Sequence, residues 1–413
     1  MTAASADNSV SQNPVSGPFL AITAADLIVR SAYQIGKTPL LPIFAAALGA
    51  TNLYLGFIVS VSTLTGMVLK PTVGLLSDRW GRRLWLLLGT TLFAVVPFFY
   101  LFVHNPQQLL AIRLLHGTAT AIYGPVTVAY VLELTGKRRA ESIGWFSTAR
   151  SGGYILGPAL GGWLLLSLSP PHVFAITGVV SLLAFIPILL LGETHRRPIG
   201  KRPSWRLQLQ LATRAATQST ALAGSLEMIM FVGLYAVKAF LPIYGLTIGM
   251  NAAQIGLYFA AQEGVTVLLK PLSGRFGDKG GHLKIILGGM VLLALALILV
   301  GASGGIGLLF LSAVLAGAGQ AFIAPNTVGL LSNQLHPEHL GTGLGLMGTL
   351  QNGSKVAGPL LAGLLVARFD YTGMFSLIGY LLLAVTLLLA LIIARQRTRM
   401  AYGPISHREQ GGQ

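Results

Sequence analysis

The chain contains no cysteine. That excludes disulfides, thiolate metal centres and thiol nucleophiles, and it leaves the redox character of the compartment unread. Charge is nearly as scarce, since Asp, Glu, Lys and Arg make up 10% of 413 residues, against about a quarter in an average soluble chain. Acids are scarcest of all, 12 against 28 bases. No H-E-x-x-H, G-x-S-x-G or phosphate-binding loop is found. The chain is therefore not read as an enzyme, and ATP is not its expected energy source. Residues 1–17 carry no basic n-region, so no cleavable signal peptide is expected.

What is present is apolar. Hydrophobic residues are 53% of the chain. They fall in twelve runs, near 18–46, 53–77, 84–103, 107–134, 140–168, 171–192, 217–247, 252–276, 283–302, 305–333, 340–367 and 371–395, each long enough for a hydrocarbon core of about 30 Å. Runs of this length satisfy their backbone in lipid only as helices. The predicted class is an all-α integral membrane protein with twelve transmembrane helices.

The bases fix an expected orientation. About nineteen of the 28 Lys and Arg fall in alternate loops and the tail, as the positive-inside rule requires. They include Arg79, Arg82 and Arg83, then Lys137, Arg138 and Arg139, then Arg196, Arg197, Lys201, Arg202, Arg206 and Arg214. Lys279, Lys284, Arg395, Arg397 and Arg399 follow. The loop His336-Pro-Glu-His339 has no Lys or Arg, and Arg368 is the base on the other side. This placement also argues against nucleic acid as the partner of a +16 chain. Both termini are expected in the cytoplasm, with tails at 1–17 and 396–413, six-span halves at 18–192 and 217–395, and a cytoplasmic linker at 193–216. Within the linker, Trp205, Leu207, Leu209 and Leu211 alternate with polar residues, as in a basic tether or a segment lying on the lipid surface.

The halves repeat each other. Gly74-Leu-Leu-Ser-Asp78-Arg79-Trp-Gly81-Arg82-Arg83 returns two hundred positions later as Gly274-Arg-Phe-Gly-Asp278-Lys279-Gly-Gly281. The same offset relates Lys70-Pro71 to Lys270-Pro271, Leu41-Pro42-Ile43 to Leu241-Pro242-Ile243, Gly49 to Gly249 and Gly56 to Gly256. Gly74 is expected to let a neighbouring helix approach, and Gly81 to permit a tight turn. Asp78 is expected to accept from Arg82 or a helix N-terminus. Run five holds Gly144, Gly153, Gly157-Pro158 and Gly161-Gly162. Its glycines at spacing four make a smooth face for close packing, and Pro158 can bend the helix.

Ionisable residues inside the runs mark candidate pathway positions. Run one carries Asp26, Arg30 and Lys37, with Tyr33 and Gln34 between, on one helix face. Run seven carries Glu227 and Lys238, run eight Glu263, run four Arg113 and His116, run five Arg150 and run eleven Lys355. Each has a plain structural alternative. Asp26–Arg30 fits a static i,i+4 pair, Lys37, Lys238, Lys70 and Lys270 fit snorkelling chains, and His116 fits a hydrogen-bonded packing residue. Glu263, with no base three or four residues away, is chosen as the coupling carboxylate. Its static partner, if any, is sought among Arg30, Arg150 and Lys355. Phe98, Phe99, Tyr123, Tyr235, Phe240, Tyr244, Tyr258 and Phe259 allow a greasy cargo.

Two six-span halves, a basic linker and G-x-x-x-D-R-x-G-R-R after span two resemble the major facilitator superfamily over essentially the whole chain. The span-five pattern resembles the antiporter motif of its twelve-span drug–proton antiporters. Pro39-Leu-Leu-Pro42 and Arg113-Leu-Leu-His116-Gly117 resemble that branch's P-x-x-P and R-x-x-Q-G, with His116 in place of Gln. The resemblance implies two pseudo-symmetric six-helix bundles around a central cavity. It also implies a gating loop at Gly74, Asp78, Arg79, Gly81, Arg82, Gly274 and Asp278, and alternating access driven by the proton gradient without a cofactor. The expected protein is a monomer in the cell membrane, most simply a bacterial inner membrane, exporting a small organic or amphipathic molecule in exchange for protons. The alternatives are a proton symporter taking up an organic anion and, from other classes, a membrane enzyme or a scaffold. Single cysteines introduced at Trp80, Arg138 and Pro203 are expected to react with an impermeant maleimide only from the cytoplasm. Those at Ala50, Asn105 and Met250 are expected to react only from outside. External labelling at Pro203 overturns the topology.

Overall fold

A computed structural model of the chain describes residues 16–134, 139–193, 210, 213–303 and 305–401. Most of the 193–216 linker, including Trp205 to Leu209 and Leu211, and Lys137 and Arg138 lie outside the described residues.

The first half begins with α1 (Gly17–Lys37) and α2 (Leu40–Ala47), one span broken where Thr38 is extended before Pro39, as the residue ahead of a proline prefers. Next come α3 (Asn52–Trp80), α4 (Arg82–Phe99), α5 (Pro106–Leu134) and α6 (Arg139–Leu164). A jointed pair, α7 (Pro170–Leu182) and α8 (Phe185–Leu189), closes that half. The second half holds α9 (Gln218–Thr247), α10 (Ala252–Gly280), α11 (His282–Ala302), α12 (Ile306–Ser332) and α13 (Pro337–Ala401). The last is two arms joined at Asp370, a non-glycine residue at φ 62°. Asp370 caps the second arm by accepting from Gly373 N at 2.8 Å and Thr372 Oγ1 at 2.7 Å. Those bonds hold its carboxyl below the usual carboxylate range.

Counted this way, the described residues form twelve helical segments. Seven helices among them qualify as spans by length and hydropathy, α13 taking in both of its arms. Those that fall short are α1, α5, α6 and α10, the helices that carry Asp26, Arg30, Arg113, Arg150 and Glu263. Their polarity is spent inside the molecule rather than against lipid.

The repeat is structural as well as textual. Thr51 and Asn251 cap α3 and α10, accepting from Tyr54 N and Gln254 N. Gly81 and Gly281 end those helices at φ 94° and 93°, a turn in which a side chain is strained. Pairing also repeats. In the first half α1 packs on α6, α3 on α5, and α4 on α5 and α7. In the second α9 packs on the first arm of α13, α10 on α12, and α11 on α12 and α13.

The halves join through two matched crossings, α3 with α13 and α6 with α10. Gly56 lies against Pro359 O, and a Cβ on Gly363 would stand 2.6 Å from Asn52 O. In the second crossing Gly256 lies against Pro158 O, and Gly162 against Ala252 O. Ser60 Oγ donates to Val356 O at 2.9 Å across the first. All of this lies toward the Gly49/Gly249 end. At the other end nothing is within 4 Å of a Cβ built on Gly74 or Gly274, and Leu75, Leu272 and Phe276 beside them are exposed. The expected close helix approach at Gly74 is therefore not made in this conformation. The halves touch at one end and part toward the Asp78/Asp278 end.

Gly256→Leu should wedge the closed end apart, overpacking of this kind costing about 1–3 kcal/mol. A cysteine placed at Thr38, on the cavity wall near that end, should then label faster from the Gly249 face. An unchanged rate shows that the crossing does not hold that end shut.

Candidate functional site

Between the halves lies a cavity of about 400 Å³. Its wall is unusually basic. Arg30 and Lys37 come from α1, Lys70 from α3, Arg150 from α6, Lys238 from α9 and Lys355 from α13. Among the described residues Glu263 of α10 is the one carboxylate on the wall. Tyr33, Tyr154, Tyr235 and Phe259 supply its aromatic surface. Of the aromatic residues suggested by the sequence, Tyr235 and Phe259 reach it. Tyr123, Phe240, Tyr244 and Tyr258 are packed in the core, and Phe99 is exposed.

The charges are paired across helices, which sequence spacing does not reveal. Asp26 is fully buried and takes Arg150 through two bonds, Nε to Oδ2 and Nη2 to Oδ1, both 2.8 Å. Arg150 Nη2 also donates to Thr127 Oγ1 at 3.1 Å, and its guanidinium lies 4.6 Å over the Phe146 ring. Arg30 Nε stands 4.0 Å from Asp26 Oδ1. The i,i+4 pair is thus the weaker partnership, because Arg150 meets both carboxylate oxygens with a planar fork and Arg30 approaches only one of them. Glu263 is paired too, with Lys238 Nζ at 2.9 Å, and not with Arg30, Arg150 or Lys355. Lys238 consequently does not snorkel. Nor does Lys37, which lies over the Tyr33 and Tyr235 rings at 5.6 and 5.5 Å. Lys70 faces the cavity as well, whereas Lys270 is exposed. Lys355 donates to Gln351 Oε1 at 3.0 Å and sits 4.4 Å over Phe231.

Besides Asp26, three candidates lie off the wall. Glu227 is buried, accepting from Thr327 Oγ1 at 2.9 Å and Gln351 Nε2 at 3.4 Å. Arg113 is buried behind Ser62, to whose Oγ it donates at 2.6 Å, and Ser62 faces the cavity. His116 packs edge-on against Tyr33 and Phe93, with Nδ1 3.2 Å from the Tyr100 hydroxyl.

The span-five glycines seat α6 on α1. A Cβ on Gly153 would stand 3.0 Å from Arg30 Cβ, and one on Gly161 2.8 Å from Ile35 O. Gly157 abuts Gln34, while Gly162 and Pro158 face α10. A Cβ built on Gly144 would meet nothing within 4 Å. Gly358 makes the matching approach of α13 to α9, where an added Cβ would stand 2.8 Å from Val232 O.

At the parted end Arg82 is the hub. It pairs with Asp78 and with Glu133 Oε1 at 3.1 Å, and donates to Ser77 Oγ at 2.6 Å. Gly81 closes on the Glu193 carboxylate, which also receives Arg83 N at 3.4 Å. Arg79 is exposed. In the repeat His282 stands where Arg82 does, 3.7 Å from Asp278 and 2.8 Å from Asn326 Oδ1. Sequence reading passed over Glu133, Glu193 and Asn326. The only available signal was an acid or amide near the end of an otherwise apolar run. A smaller cavity of about 270 Å³ adjoins this loop, lined by Gly74, Asp78, Arg82 and Lys70, so Lys70 faces both spaces.

The family model described as Major Facilitator Superfamily matches residues 36–244 and 223–404. An uncharacterized MFS-type transporter of Methanocaldococcus jannaschii is 24% identical over 82% of this chain and 88% of its own length. The multidrug resistance protein MdtG of Proteus mirabilis is 27% identical over 82% and 86%. The quinolone resistance protein NorA of Staphylococcus aureus is 27% identical over 50% of this chain and 53% of its own length, so that match spans about half of each. Among solved structures, the nucleoside transporter NupG superposes with a TM-score of 0.77 at 15% identity, covering 92% of this chain and 98% of NupG. A bacterial homolog of the human lysosomal transporter Spinster, in an inward-facing and unoccupied conformation, gives 0.72 at 15% identity, covering 91% and 94%.

Removing one partner of a buried ion pair costs about 3–5 kcal/mol. Asp26→Asn should therefore lower the melting temperature of the purified protein well below that of Glu263→Gln, whose partner Lys238 keeps access to the cavity. Equal melting temperatures by intrinsic fluorescence contradict a structural role for the Asp26–Arg150 pair.

Proposed function

Because this chain belongs to the Major Facilitator Superfamily, we propose that it is a secondary active transporter that moves a small organic molecule by alternating access and draws its energy from protons. The observation that carries this reading is the joining of the halves at one end over a charged cavity, with parting at the other. Two bundles, 18–192 and 217–395, rock about the α3–α13 and α6–α10 crossings, with 193–216 as the linker between them. With both termini cytoplasmic, the parted end faces the cytoplasm and the conformation is inward-facing. In the opposite state the Asp78–Arg82–Glu133 cluster and its Asp278–His282 counterpart latch the parted end. The protein works as a monomer in the cell membrane.

Glu263 is the coupling carboxylate of this reading, since it reaches both the cavity and a mobile base. Protonation of Glu263 releases Lys238, and a cargo that occupies Lys238 leaves Glu263 free to take a proton. Export in exchange for protons is supported by the span-five glycine pattern and by the names of MdtG and NorA. Co-transport of proton and anion is the second reading. It is favoured by the Lys238–Glu263 pair, because an anion on Lys238 and a proton on Glu263 help each other rather than compete.

Reconstituted vesicles with an imposed pH gradient test both. Applied to a panel of small aromatic anions and cations, the assay should show flux that Glu263→Gln reduces roughly tenfold or more, a loss of about 1.4 kcal/mol of coupling per decade. Glu227→Gln should have the smaller effect. Protons moving against the cargo support exchange, and protons moving with it support co-transport. Full gradient-driven flux in Glu263→Gln with loss in Glu227→Gln moves the coupling site to α9.

A further inference from the structure

The positive charge of the cavity converges on one ring. Lys37 Nζ and Lys238 Nζ each lie 5.5 Å from the centre of the Tyr235 ring, and Lys355 Nζ lies 6.0 Å from it. The three ammonium groups come from α1, α9 and α13, so both halves contribute. Lys238 has a carboxylate partner, Glu263. Lys37 has the faces of two tyrosines, and Lys355 has an amide oxygen and two rings. Lys355 also feels the charges of Lys37, Lys238 and Lys70. Arg30, on the same wall, has a buried Nε with no hydrogen-bond partner.

Holding like charges together at membrane depth is costly, and such groups ordinarily pair with an opposite charge. Here one carboxylate, paired with Lys238, accompanies three ammonium groups gathered around the Tyr235 ring, an excess of two positive charges there. Each ammonium brings three donors on a flexible stem. Among the remaining lining residues, Tyr33, Tyr154, Phe259 and Pro158 offer apolar surface to a flat body, beside polar groups such as Gln34, Thr63 and Asn352. A cavity of about 400 Å³ is at the small end of ligand sites.

Resting on the transport reading above, we propose that Lys37, Lys238 and Lys355 form one binding site, floored by Tyr235, for a doubly charged anionic head group on a small aromatic cargo, and that Glu263 is the resident competitor which this head group displaces from Lys238. The head group supplies the two negative charges that the three lysines and Glu263 together lack. A monoanion leaves the excess half offset, and a cation adds to it. Sulfonate, phosphate and carboxylate all provide the chemistry, so charge number rather than atom type is the recognised property.

The test is equilibrium binding to the purified full-length protein without any gradient. Benzenedisulfonate, benzenesulfonate and benzyltrimethylammonium serve as probes because their charges do not change with pH. Benzenedisulfonate should bind about tenfold or more tighter than benzenesulfonate, and benzyltrimethylammonium should not bind. Lys37→Gln and Lys355→Gln should each remove most of that preference, while Lys270→Gln, on an exposed site, should leave it intact. Glu263→Gln should tighten benzenedisulfonate binding, a gain that a merely structural carboxylate does not produce. Equal affinity for the two sulfonates, preference for the cation, or weaker binding in Glu263→Gln each overturn the assignment. Binding of the disulfonate by a protein that carries no probe in vesicles would count against transport and leave this site standing. Gradient-driven flux of the cation alone would do the reverse.

Discussion

Two helices in a membrane meet backbone to backbone only where neither presents a side chain, and this molecule does so at two matched places. Gly56 against Pro359 and Gly256 against Pro158 bring the halves into contact. Since lipid is as apolar as leucine, dispersion at short range and buried polar contacts hold such a crossing. The Ser60 hydroxyl on Val356 O adds a polar tie. The cavity lies where these crossings join one end while the other ends of α3 and α10 part from the opposite half.

Charge then organises the interior. The deepest charges of α1, α6 and α10 are turned inward and matched across helices, with Asp26 on Arg150 and Glu263 on Lys238, while Arg113 of α5 is buried on the Ser62 hydroxyl. The two pairs differ in kind. Asp26 is sealed and held by a bidentate fork, so it belongs to the framework. Glu263 meets a single flexible ammonium on the cavity wall, so its partnership is exchangeable.

The fold class and the two halves were legible in the sequence because long apolar runs have one solution in lipid and because a constant offset of glycines and prolines survives divergence. The same offset reappears in the caps Thr51 and Asn251 and in the turns at Gly81 and Gly281. Arg30, Lys37, Arg150, Lys238 and Lys355 were legible as candidates, since a charge in a span has few reasons to be there, whereas Lys70 beside the turn fitted a snorkelling chain and lies on the wall instead. Partners were not. Spacing along one helix suggested Asp26–Arg30, whereas Arg150 arrives from 124 residues away. For Lys238 the sequence leaves the cavity and the surface both open, because run seven alone does not show Glu263 on another helix. Gly74 was read as a packing position, and in this conformation it packs on nothing.

The single left-handed residue at Asp370 has a mechanical meaning. A loop of several residues would let spans eleven and twelve tilt separately, but one residue capped onto Gly373 is a stiff elbow. The first arm of α13 carries the α3 crossing, while Tyr380, Leu381, Leu387, Leu388 and Leu391 of the second arm are exposed. Under the proposed alternating-access cycle, rocking about that crossing sweeps a leucine-rich outrigger through the surrounding acyl chains, so the work of the cycle includes rearranging lipid and bilayer thickness becomes a quantity that turnover responds to.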